Sequence, residues 1–143
     1  MDHTALKLPL DRNQIRDLLK AHDVMPTRQR MAIAAVLFAR PQHVSADQVL
    51  ASVNESIRNV SKATVYNTLG LFAHKGLIRE VIVDPQRVFY DPNIREHHHL
   101  YNNDTGELVD IEAGEILLGH LPSLPKGTKV AGIDVIIRLN NSR

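Results

Sequence analysis

Three histidines in a row, His97, His98 and His99, stand just before a polar turn, and an acid, Asp110, follows eleven residues after the last of them. Successive side chains on a strand point to opposite faces, so an extended run here puts His97 and His99 on one face and His98 on the other. The stretch Asn102-Asn103-Asp104-Thr105-Gly106 is dense in turn formers, and Leu108-Val109-Asp110-Ile111 then resumes an apolar pattern. With residues 103–106 as the loop, Asn102 pairs with Glu107 and His99 falls directly opposite Asp110. Cross-strand Cβ atoms lie about 5 Å apart, close enough for one ion to bridge them. Imidazole nitrogen and carboxylate oxygen are ligands that zinc, iron or manganese accept. The competing reading is a solvated polar hairpin, or one satisfied core histidine beside two exposed ones.

The elements that must position these side chains come in a clear order. Asp11 to His22 carries Ile15, Leu18, Leu19 and His22 at the spacing of an amphipathic helix. Thr27 is a good cap for a second helix through about Ala39, with Ile33, Val36 and Leu37 inward and Pro41 ending it. Ser45 caps a third, with Ala46, Val49, Leu50 and Val53 as its apolar stripe, and Ser61 caps a fourth that stops near Lys75-Gly76. The period then becomes two: residues 77–83 and 88–91 flank a turn at Asp84-Pro85-Gln86-Arg87. One leading helix, three helices and a two-stranded wing make a winged helix-turn-helix. Beyond it the pattern predicts strands near 98–102 and 107–111, a helix from about Ala113 to His120, and a last strand from Val130 to Leu139, in which Ile136 breaks the alternation and faces a partner. The fold class is therefore α+β, with residues 1–84 as a winged-helix DNA-binding domain and 85–143 as a small α/β domain.

In such a motif the second helix of the pair enters the major groove, and its N-terminal residues meet base edges. Val65, Leu69 and Phe72 take the core side, which leaves Lys62, Tyr66 and Asn67 to face outward. Lys62 suits a phosphate or guanine edge, Tyr66 a thymine methyl or phosphate, and Asn67 adenine or the backbone. Arg28, Arg30 and Arg58 are candidate phosphate contacts that set position without reading sequence. Taken singly, each is an ordinary solvated surface residue; the capped helix, its polar start and the following wing are what join them.

Composition narrows the classes. The 143 residues, 43% of them hydrophobic, suffice for one domain or two small ones. There is no cysteine, which excludes disulfides, thiolate zinc sites and a Cys nucleophile. Residues 1–83 hold eleven Lys/Arg against seven Asp/Glu, whereas residues 84–143 hold six against nine, so a basic front and an acidic back divide the chain. No run approaches the roughly 20 apolar residues of a membrane span, and residues 1–13 lack a signal core. A cytoplasmic protein without membrane partners is expected.

The segment Ser61-Lys62-Ala63-Thr64-Val65-Tyr66-Asn67-Thr68-Leu69, followed by Gly76-Leu77-Ile78, resembles the recognition helix and wing start of the ferric uptake regulator family. Pro26-Thr27-Arg28-Gln29-Arg30 and His43-Val44-Ser45-Ala46-Asp47 carry the same resemblance, which runs from about residue 11 to residue 139. It implies a homodimeric, metal-responsive transcription regulator rather than an enzyme, acting on a double-stranded DNA operator, with residues 85–143 as its dimerisation and metal- or haem-sensing domain. In that family a regulatory metal lies between the domains, and the matching positions here are His43, Asp91, His97, His99 and Asp110. Hairpin pairing reaches the last three; His43 and Asp91 come from the resemblance. Fe²⁺ or Mn²⁺ is the implied ion, with Zn²⁺ as an in vitro substitute and oxidation by peroxide as one mode of response.

Many members also hold structural zinc through a Cys-x-x-Cys pair, but those positions are Asn102 and Thr105 here, so that zinc is not expected. Asn67 stands where an arginine is common, and Ile133 and Asp134 lie near the place of a histidine used for a second metal. The triple histidine, the lack of cysteine and the asparagine look most like the iron response regulator branch of rhizobia and related bacteria. That resemblance implies haem at His97, His98 and His99, held by imidazole, with DNA binding weakened when haem is bound. Two further readings remain: a hydrolytic zinc site with Glu96 or Glu107 as base, unaccompanied by any catalytic motif, and purely structural histidines.

Overall fold

Asp11, Thr27, Ser45 and Ser61 each turn a side-chain oxygen onto the backbone N–H three residues ahead, and a helix starts at every one of them. The structure, a computed structural model, describes residues 6–142. The helices are α1 (Arg12–Ala21), α2 (Arg28–Leu37), α3 (Ala46–Ser56) and α4 (Lys62–His74). At Asp11 and Ser45 the bond is reciprocated, because Gln14 and Gln48 reach back to the cap N–H in capping boxes. α2 ends before Ala39, at Leu37. The Gln42 amide donates to the Val36 and Leu37 carbonyls at 2.7 and 3.2 Å, so the orphaned end of the helix is satisfied ahead of Pro41.

The chain divides into two compact units, one ending at Arg95 and the other beginning at Glu96. This boundary lies later than 84/85, and the reason is backbone pairing: β1 (Arg79–Asp84) and β2 (Arg87–Asp91) are antiparallel partners that a division at 84/85 would separate. In the first unit the inward faces of all four helices meet. Leu19, Ile33, Leu37, Val49, Val53 and Phe72 are fully buried, and Leu77 and Ile78 close the cluster from the wing side.

The entrance to α4 is set by Asn54. Its Oδ1 accepts from the Val60 N–H at 3.0 Å and its amide donates to the Val60 carbonyl at 3.3 Å, while Asn59 turns through φ 66°. Asparagine is among the few residues that adopt this left-handed conformation readily. At the far end Gly76, with φ 79°, lets the Leu77 N–H reach back to the Phe72 carbonyl at 2.9 Å and stops the helix.

In the second unit β3 (His97–Asn102) is the central strand, with β4 (Leu108–Glu112) antiparallel on one side and β5 (Ile136–Leu139) parallel on the other. The helix expected over 113–120 is reduced to a single 3₁₀ turn, Ala113–Glu115. Gly114 and Gly119 each cost about 1 kcal/mol relative to alanine in a helix, and short helices need tertiary packing to persist. Leu117 is 92% exposed, so no such packing is present for it. The last strand is likewise shorter than Val130–Leu139, with Gly132 inside the part that does not pair.

The helix faces can be checked by truncation. Phe72→Ala should cost about 3–5 kcal/mol in urea unfolding, because it empties a fully buried site. Tyr66→Ala, on the opposite and exposed side of α4, should stay within about 0.5 kcal/mol.

Candidate functional site

His43 lies just before the cap of α3, and Asp91 ends β2. What brings them together is the backbone between their neighbours: Val44 and Tyr90 exchange both hydrogen bonds, at 3.0 and 2.7 Å, in an isolated antiparallel bridge. The residues on either side of this bridge are thereby placed side by side, and His43 Nε2 stands 3.0 Å from Asp91 Oδ2. Asp91 is buried, and its other oxygen accepts from the Asn93 N–H at 2.9 Å, which fixes the carboxylate. Burial, and after it the charges of Glu80 and Tyr66, push the Tyr90 hydroxyl above its ordinary pKa. Tyr90 therefore remains neutral.

In the second unit the hairpin has the expected register. His99 pairs with Asp110, and the Asn102 N–H donates to the Glu107 carbonyl at 2.9 Å. His97 and His99 project to one face, where Asp110 Oδ1 lies 3.4 Å from His97 Nε2 and 3.2 Å from His99 Nε2. The ligand atoms of these three residues all fall within 4.8 Å of one another. Ligands bonded at about 2.0–2.2 Å to one tetrahedral or octahedral ion are themselves separated by roughly 3.0–3.4 Å. Both imidazole nitrogens already stand at about that spacing from the Asp110 oxygen. Nitrogen and oxygen donors of this kind fit a divalent first-row metal, and the 42% exposure of the Asp110 side chain gives the set an open side.

His98 has a different task. It is only 2% exposed, and its Nδ1 accepts from the Val135 N–H at 3.1 Å, while the His99 N–H donates to the Val135 carbonyl at 3.1 Å. The ring is thus a fixed link between β3 and the approach to β5. The pattern of the triple histidine places it on the opposite face, but its partner is 37 residues away and carries no side-chain signal.

Asn102 and Thr105 are also occupied. Asn102 Oδ1 accepts from the Asp104 and Thr105 N–H groups at 2.8 and 3.0 Å, and Thr105 Oγ1 accepts from the Glu107 N–H at 3.2 Å. Beyond the turn, Asn102 and Asn103 bond to Asn141 and Asn140, and Asp104 accepts from the Asn141 N–H at 2.7 Å. An amide staple joins the β3–β4 turn to the chain after β5, a role no sequence periodicity signals.

On α4, Lys62, Tyr66 and Asn67 are exposed together. Lys62 Nζ lies 3.6 Å from Asp47 Oδ1 and 5.7 Å from the centre of the Tyr66 ring, both solvated contacts that a stronger anion can displace. Arg28 and Arg58 are exposed, whereas Arg30 is half-buried and donates to the Met25 carbonyl at 3.1 Å. Arg30 therefore also holds the turn ahead of α2. No helix among the described residues is long and apolar enough to cross a membrane.

Comparison with known proteins gives a consistent result. The ferric uptake regulator family matches residues 21–135. The peroxide-responsive repressor PerR of Staphylococcus aureus is 30% identical over 94 residues, which cover 66% of this chain and 64% of that protein's own length. Among solved structures, the ferric uptake regulator from Pseudomonas aeruginosa with manganese superposes with a TM-score of 0.69 at 21% identity, covering 90% of this chain and 98% of that one. The Campylobacter jejuni peroxide stress regulator does so at 0.60 and 23%, covering 89% and 96%.

The separate roles of the histidines make a distinguishable pair of variants. His98→Ala should lower stability by about 1–3 kcal/mol in urea unfolding through the lost Val135 bond. Mn²⁺ affinity measured by calorimetry should stay within about threefold for that variant and fall at least tenfold for His99→Ala.

Proposed function

The chain belongs to the ferric uptake regulator family, and on that premise we propose that it is a homodimeric, metal-responsive transcription regulator of the cytoplasm. Its DNA-reading surface is α4, with Lys62, Tyr66 and Asn67 toward base edges and Arg28, Arg30 and Arg58 toward phosphates. Its metal ligands are His43, Asp91, His97, His99 and Asp110. The observation that carries the reading is the donor spacing on the β3–β4 hairpin, where two imidazoles and one carboxylate oxygen converge at ion-bridging distance.

The two units divide the work. The first unit, basic and helical, supplies the operator contacts, and its His43–Asp91 pair supplies two ligands. The second leaves Leu117, Leu118, Leu121, Leu124, Ile137 and Leu139 exposed, and this number of uncovered large apolar side chains in a small unit supports a second copy as its partner. A twofold dimer implies a roughly palindromic operator. Metal can regulate binding only as far as it prefers the DNA-competent form, and a tenfold preference corresponds to about 1.4 kcal/mol.

Nitrogen and oxygen donors without thiolate favour Mn²⁺ or Fe²⁺ as the working ion, with Zn²⁺ as a substitute in vitro. Similarity to the Staphylococcus aureus peroxide-responsive repressor supports a peroxide-sensitive Fe²⁺ form of the same site. The haem reading, with iron held by His97, His98 and His99 and DNA released on binding, draws on the histidine run. Against it stands the engagement of His98 with Val135, which must break before that ring can bind iron.

One titration separates the readings. A duplex selected from a random pool should bind at least about tenfold more tightly with Mn²⁺ than with chelator, and Asp110→Ala should remove the difference without altering the thermal melt. Haem added to the same protein should leave operator affinity unchanged. A Soret band lost in the His97/His98/His99→Ala variant, accompanied by weakened operator binding, would establish the haem reading instead.

A further inference from the structure

α1 and α2 of the first unit border a groove of about 560 Å³, within the range of small-molecule sites. Its floor is apolar, formed by Ile15, Met31, Ala32 and Ile57, of which Ile15 is buried and the others are half-buried. Its rim carries three arginines, Arg12, Arg16 and Arg28. Among the described residues no carboxylate lines it, and neither α1 nor α2 has an acid in its first turn. Two acids adjoin the rim arginines in sequence: Asp11 is turned onto the Gln14 N–H as the cap of α1, and Asp17 is exposed and does not line the groove. Arg16 donates to the Asn13 side chain at 3.3 Å, a neutral partner.

We propose that this groove binds a small amphipathic anion, an apolar carboxylate whose head group meets the arginine rim and whose hydrocarbon body covers the floor. Three like charges on one rim, with no carboxylate among the described lining residues, concentrate positive potential over the concavity. Guanidinium forks match a carboxylate with two parallel hydrogen bonds. The floor adds the second requirement, since half-exposed apolar side chains gain from being covered by hydrocarbon and gain nothing from a bare phosphate. A nucleic-acid backbone, the partner proposed above for Arg28, satisfies the rim and leaves the floor wet, so the two ligands would compete for that one side chain, and a neutral lipid covers the floor and leaves the rim unmet. Only a ligand with both parts satisfies both.

The test uses the full chain, labelled with ¹⁵N, titrated with decanoate below its micelle concentration and, in parallel, with decanol and with inorganic phosphate. Decanoate should shift the amides of Arg12, Arg16, Arg28 and Ala32 saturably, with the other two probes at least about tenfold weaker. Arg12→Glu/Arg16→Glu should weaken decanoate at least tenfold. Ala35→Glu, at an exposed position lining the groove, should do the same with every arginine intact, so the result does not depend on the charge-reversed protein folding well. Decanoate shifts confined to residues 117–124, equal binding of decanol or of phosphate, or unchanged affinity in Ala35→Glu would each overturn the proposal. None of these readouts involves metal or operator, so they stand or fall apart from the regulatory reading.

Discussion

The register of β3 against β4 is the constraint on which the second unit depends. With His99 opposite Asp110, both His97 and His99 meet the same carboxylate oxygen, and His98 is delivered to Val135. A slip of one residue would exchange the two faces, sending His98 toward the acid and two donor rings into the sheet packing. Three local devices oppose that slip. Asn102 and Thr105 cap the turn, Gly106 adopts the positive φ the turn needs, and β5 pairs along β3 from His99 to Asn102. The donor set is thus preorganised by backbone pairing, and a metal has little side-chain ordering left to impose.

A comparable dependence operates in the first unit. The Val44–Tyr90 exchange is a single bridge, yet it is what joins the loop before α3 to the last strand of the wing and sets His43 against Asp91. The same unit holds α4 by a packed inner face and by the Asn54 clasp on Val60, so the exposed side of that helix is presented at a defined angle to its own core. Rigid support beneath exposed polar residues is what a reading surface requires, because base contacts discriminate only when their geometry is held.

The amide staple around Asn102, Asn103, Asp104, Asn140 and Asn141 has a place in this economy of parts. Many proteins of the family tie the same turn with zinc through cysteines, and this chain ties it with hydrogen bonds among side-chain amides, a carboxylate and the backbone. Such bonds do not depend on metal supply or on thiol redox state.

Local chemistry made much of this legible in the sequence. The four caps, the order of helices and wing, the outward face of α4 and the His99–Asp110 pairing all follow from short-range periodicity and turn composition, which act within a few residues of chain. The convergence of nitrogen and oxygen donors without thiolate follows from composition itself. Other features were decided by tertiary structure. The pairing of His43 with Asp91 required a bridge between segments far apart in sequence, and the partner of His98 lay 37 residues away. The helix expected after Ala113 needed a packed face, and its glycines and exposed leucines left it without one among the described residues. Periodicity records which side of an element is apolar; only the folded chain determines whether anything covers that side, and which distant atoms meet across it.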